Sequence, residues 1–162
     1  MRNIIYLLNL LLAISFVACT PTCDQAYPEG MDLDDADANN IVMRGIDVVS
    51  CYNTKTAQKG NKEIFSMHNG VKFLFSNESN KVLFDGNPEK FMPAVGGYCI
   101  VAAAFGKVED VDDMHFGVYN GKLYFNRNKK ASEMWNKDKE KLTAQGESMW
   151  PCLVLENGRK IN

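Results

Sequence analysis

Cys99 is the residue whose setting holds the most chemistry, in the run Gly96-Gly97-Tyr98-Cys99. A short Ala-rich helix over Tyr98–Phe105, ended by Gly106, puts its thiol in the first turn. Unpaired N–H groups and the helix dipole favour a thiolate there. The glycines ahead of it let a ligand or another stretch of backbone approach closely. Gly96, Gly97, Tyr98 and Cys99 are therefore the ligand-binding candidates. The competing reading is a small buried residue packed with Ala102 and Ala103 at helical spacing, since cysteine is among the most buried residue types.

The chain has five cysteines, and no C-x-x-C pair that would indicate a zinc ribbon or a thioredoxin-type centre. Cys51, Cys99 and Cys152 are disulfide candidates. With Cys23 they allow three pairings, and the sequence does not choose among them. A thiol-redox centre made of Cys99 with Cys51 or Cys152 is the alternative to a binding site.

Both histidines follow a methionine, as Met67-His68 and Met114-His115. Thioether with imidazole suits Cu(I), but neighbours on a strand point to opposite faces, so neither pair closes easily on one ion. A transition-metal site for copper or zinc would have to gather Cys99, His68 and His115. Two histidines leave a Ser-His-Asp triad few combinations, and no nucleophile elbow, phosphate loop or His-Glu-x-x-His run is present. Asp47, Glu63, Glu78, Asp110 and Asp113 show no spacing that selects a catalytic pair. No catalytic residue is assigned, and a non-enzymatic protein is expected.

These residues must be positioned by one domain of ordinary size within 162 residues. The hydrophobic fraction of 46% is enough for a core. Net charge is −2, which gives no clustered basic surface for nucleic acid. The N-terminus carries a different signal. Arg2 precedes an apolar stretch from Ile4 to Val17, broken only by Asn9 and Ser15, that closes on Val17-Ala18-Cys19. A run of this length suits a secretory leader better than a spanning helix. The boundary cysteine fits a lipobox, with Cys19 as the lipidation site and the membrane as partner through that anchor. Phe16 stands where such boxes usually carry leucine. An uncleaved anchor and ordinary secretion are the alternatives; all three place the domain outside the cytoplasm, and the lipid anchor places it in the cell envelope.

Residues 20–40 form an acidic tether, with Asp32, Asp34, Asp35 and Asp37 in it. An EF-hand loop is not satisfied, because Asp37 stands where glycine is needed and Ala36 occupies a ligand position. The domain spans 41–152, with a polar tail over 153–162. Two Asn-Gly pairs supply the positive-φ residues of type I′ turns. Asn69-Gly70 joins Ile64–His68 to Val71–Phe75, with His68 opposite Val71, Ser66 opposite Phe73 and Ile64 opposite Phe75. Asn120-Gly121 joins Phe116–Tyr119 to Lys122–Phe125, with Val118 facing Leu123 and Phe116 facing Phe125. In that second hairpin Tyr124 lies opposite Gly117 and is placed to cover it. Ser76 caps a helix through Phe84, Asn87-Pro88-Glu89 opens another, and an amphipathic helix runs from Ala131 to Ala144. Trp150-Pro151 closes the domain. The expected fold is α+β: two antiparallel β-hairpins forming a small sheet, with three or four short packed helices.

Read together, these stretches resemble the bacterial YHS-domain family in its secreted branch. The resemblance rests on Val42 through Val49, Asn69-Gly70 with Phe73 and Phe75-Ser76, and Phe84 with Asn87-Pro88-Glu89-Lys90-Phe91. It continues through Pro93, Gly96-Gly97-Tyr98-Cys99, Gly121-Lys122-Leu123-Tyr124 with Asn126, Trp135 and Trp150-Pro151. It implies a non-enzymatic binding module for a metal ion or small ligand near Cys99. YHS modules of heavy-metal transporters carry paired cysteines at positions matching Phe75 and Ser79, so that metal site is not carried over. Cys51 stands where the secreted branch usually has tyrosine. A domain with a degenerate metal site that serves only as a protein-docking surface is the remaining alternative.

Overall fold

The computed structural model describes residues 40–111 and 115–156. The leader, Cys19, Cys23 and the tether before residue 40 lie outside the described residues. The fold is α+β, and its two hairpins stand as separate two-stranded antiparallel sheets. The first pairs β1 (Asn61–His68) with β2 (Val71–Phe75), and the second pairs β3 (His115–Tyr119) with β4 (Lys122–Asn126). Both turns have the expected backbone, with φ of 50° and 81° at Asn69-Gly70 and 47° and 75° at Asn120-Gly121.

Register follows the turns. His68 faces Val71 and Ser66 faces Phe73, while Phe116–Phe125, Gly117–Tyr124 and Val118–Leu123 pair in the second ribbon. Ile64 does not face Phe75, because the pairing jumps from Asn61–Phe75 to Phe65–Leu74. The start of β1 is held elsewhere. Gly60 N–H donates to the Gly45 carbonyl at 2.8 Å, and a Cβ on Gly60 would come within 2.4 Å of the Leu74 Cβ. Strand β1 must bend to make that approach, and the irregularity absorbs the bend.

The helices are α1 (Val48–Thr54), α2 (Glu78–Gly86), α3 (Pro88–Phe91), α4 (Ile100–Ala104), α5 (Lys129–Lys137) and α6 (Lys139–Glu156). Side-chain caps set their starts: Asn77, Asn87 and Asn128 accept from the N–H groups of Asn80, Lys90 and Ala131. The cap of α2 is thus Asn77 and not Ser76, whose N–H and hydroxyl are both given to Asp47. The helix expected over 131–144 is two helices broken at Asp138, and α6 runs through Pro151 to Glu156. Leu153, placed by the sequence in a tail, is buried in α6.

Two core clusters lie on opposite faces of the second ribbon. Leu123 and Phe125 enter an aromatic core with Phe73, Phe75, Phe84 and Phe91. Tyr124, pointing the other way as strand alternation requires, enters a core with Ile100, Trp135, Leu142 and Trp150. Gly117 is covered by Trp135 and not by Tyr124, since a Cβ there would meet the indole at 2.7 Å. α4 crosses α6 at Gly146, where a Cβ would stand 2.8 Å from the Ile100 carbonyl oxygen. That close crossing fixes the helix that follows Cys99.

Candidate functional site

The run Gly96-Gly97-Tyr98-Cys99 is assembled from unequal parts. Gly97 has φ of 82°, and a Cβ on it would meet the Met43 sulfur at 2.7 Å. Its missing side chain makes room for the protein's own methionine. Tyr98 is buried and packs on Trp150 with ring centroids 5.4 Å apart. The helix begins at Ile100, one residue beyond Cys99, so Cys99 is its N-cap and its sulfur accepts from Ala102 N–H at 3.4 Å. The Cys99 backbone is clamped as well, with its N–H donating to the Glu109 carbonyl at 3.1 Å.

Cys99 is 1% exposed, yet it floors a cavity of about 290 Å³. Val101, Ala102, Phe105, Ala131 and Met134 give this cavity its apolar lining. Phe105 and Met134 stand out, at 61% and 39% exposed. The mouth is polar and mainly basic, with Lys107, Arg127 and Lys130 against one carboxylate, Glu109. Glu109 is engaged by Arg127 at 3.0 Å. Immediately before Arg127, Asn126 is fully buried, and among the described residues neither polar atom of its amide has a hydrogen-bond partner. A buried amide left unpaired costs ~1–3 kcal/mol, and costs of that kind gather at functional sites. Asn126 lies on the Tyr124 face of β4, the side on which Cys99 packs.

No family model, curated protein or solved structure matches this chain.

A second cavity, of about 350 Å³, lies beside the other end of the run, against Val95, Trp150 and Pro151. Glu147 dominates its polar side, accepting from Lys122 Nζ at 2.7 Å and from the Tyr124 hydroxyl at 2.8 Å. Both bonds fall on one Glu147 oxygen, Oε1.

The metal candidates are not gathered. His68 lies against Phe84 and Phe73 with its Nε2 3.1 Å from Glu89, in the aromatic core. His115 pairs with Asn126 on one edge of β4, whereas Cys99 bridges Phe125 from the other. Among the described residues no three of His, Cys, Asp or Glu are grouped to hold an ion. Phe75 is fully buried in the aromatic core and Ser79 is exposed.

Two of the disulfide candidates are corrected. Cys51 and Cys99 are free, buried thiols, and they belong to different cores. A redox centre made of those two has no geometric basis. Cys152, half-buried on α6, is disulfide-bonded, so its partner is neither Cys51 nor Cys99.

Burial, reinforced by the Asp47 charge, pushes the Cys51 thiol up from 9.0 to about 12. Tyr124 is also pushed up, first by burial and then by its hydrogen bond to Glu147. Both groups keep their protons longer folded than unfolded, so the unfolded chain loses protons first as pH rises. Their contribution is full below pH 9 and fades as the pH climbs toward 12. Thermal unfolding followed from pH 8 to 11 is expected to show stability falling by up to ~1.4 kcal/mol per pH unit from Cys51 alone. Cys51→Ala should flatten that slope, and an unchanged slope would remove Cys51 from the account.

Proposed function

We propose that this is a cell-envelope lipoprotein whose YHS-type domain binds a small ligand, without catalysis, in the cavity floored by Cys99. The observation that carries the reading is that cavity, with an apolar floor and a basic mouth. The bridged Cys152 supports export, since disulfides persist in oxidising compartments. Cys19 carries the lipid, and two acyl chains hold stably where one is marginal. Among the described residues no helix is long and apolar enough to cross a membrane.

The test is chemical-shift mapping of the full chain against a fragment set containing acids, alcohols and amines, with Cu(I) and Zn(II) included. Perturbations should cluster at Val101, Ala102, Phe105, Ala131 and Met134, and should vanish in Ala131→Phe, whose ring fills the cavity. A cluster at His68 or His115 on adding metal, or scatter over the surface, would sink the small-ligand reading. Intact mass of membrane-extracted protein checks the anchor, which predicts a diacylated Cys19 and a mass gain at Cys152 on reduction and alkylation.

A second reading, docking of a protein partner, rests on apolar side chains left in solvent on neighbouring α2 and β1. Val82 is 67% exposed, Leu83 49% and Met67 55%.

A further inference from the structure

The cavity's chemistry narrows its ligand, provided the proposed binding at that site holds. Its mouth carries three cations, and only one of them, Arg127, has a carboxylate to satisfy it. Lys107 and Lys130 are exposed and take part in no ion pair among the described residues. Arg127's planar fork, the group suited to bidentate phosphate binding, is already turned to Glu109. What remains free is a pair of flexible ammonium groups, which act as point charges and suit a compact single anion.

Below the mouth the cavity is apolar. At its floor of Cys99, Val101 and Ala102, the Ala102 N–H is taken by the Cys99 sulfur. Phe105 and Met134 form the wall, an aromatic face and a thioether that adapts to a flat apolar guest. At ~30 Å³ per water-sized group, a volume of about 290 Å³ admits a body of about ten heavy atoms.

We propose that the Cys99 cavity binds a small organic monocarboxylate, its carboxylate between Lys107 and Lys130 and its apolar body against Phe105, Met134 and Cys99. No bond is made or broken, and the selectivity is electrostatic at the mouth and steric below it. An acid without an apolar body gains only the exposed charge contacts, which are weak in water. An amine with the same body is repelled at the mouth.

The experiment titrates the full chain with benzoate, benzyl alcohol, benzylammonium and acetate, reading the Met134 methyl and the amides of Val101, Ala102 and Ala131. Benzoate should bind at least tenfold tighter than benzylammonium, and acetate should leave the floor signals unmoved. The exposed Lys107→Ala/Lys130→Ala pair should weaken benzoate at least fivefold and leave benzyl alcohol within twofold. Salt should weaken benzoate alone. Equal binding of all three benzyl probes at these signals would overturn the anion assignment while leaving the cavity as a ligand site. If none of the probes moves these signals, both the assignment and the proposed site fall.

Discussion

Replacing Asp47 by alanine is expected to lower the domain's stability by ~4 kcal/mol, the scale on which an uncompensated break in a buried charged network acts. The carboxylate is fully buried, and both of its oxygens are in use. Oδ1 caps α1 through the Val49 and Ser50 N–H groups at 2.9 and 3.0 Å. Oδ2 accepts from Ser76 N–H at 2.8 Å, the Ser76 hydroxyl at 2.7 Å and Asn80 Nδ2 at 2.7 Å. One side chain thus joins the start of α1, the exit of β2 and the first turn of α2. Alanine would leave the Val49, Ser50 and Ser76 N–H groups without the acceptor they share, while the Ser76 hydroxyl would still accept from Asn80 Nδ2. At roughly 4 °C per kcal/mol for a domain of this size, the melting temperature should fall by ~15 °C. Asp47→Asn should recover less than half of that, because its amide NH₂ turns donors toward donors on one side. Urea or thermal denaturation of both variants decides it, and a change under ~1 kcal/mol would mean that water replaces the carboxylate.

The second large effect is expected at Gly146. An added Cβ stands 2.6 Å from the Ile100 Cδ1 and 2.8 Å from the Ile100 carbonyl oxygen. The side-chain tip can move, but the carbonyl belongs to α4 and cannot move alone. Alanine gains ~1 kcal/mol of helix propensity over glycine, which offsets part of the overlap. Valine adds two methyls to the same space and should cost ~3 kcal/mol, the upper part of the overpacking range. α4 would be displaced with Cys99 at its head, so Gly146→Val should weaken cavity ligands more than Gly146→Ala does. Paired denaturation and titration test this. Equal stability of the two variants would mean that α6 slides past α4 without resistance.

The hairpins were legible because their information is local. Asn-Gly fixes the turn, the turn fixes the register, and alternation then assigns the faces. The register fails at Ile64 because the bend there is imposed by Gly45, distant in sequence. Asp47 was visible as an acid, but its role depends on Ser76 and Asn80, which only the fold brings to it. The end of the domain was misplaced for a physical reason. A proline removes one helical hydrogen bond, yet α6 continues through Pro151, carrying Leu153 and Trp150 into the core. Cys99 was legible as a candidate, while the cavity above it was not. Its lining comes from α4, α5 and the segments around Lys107 and Arg127, a convergence without a sequence pattern. The exposed Phe105 gave one hint, an apolar residue directly before the helix-ending Gly106.

Strand β4 sends Leu123 and Phe125 to one core and Tyr124 to the other. A single thin ribbon therefore separates the residues that define the aromatic core from those that back the cavity. Substitutions on opposite faces share a backbone but few side-chain contacts, so their effects should combine nearly additively. Selection can then drift the cavity toward new ligands without renegotiating the aromatic core. In that sense the strand divides the domain into a fixed chassis and an adaptable compartment.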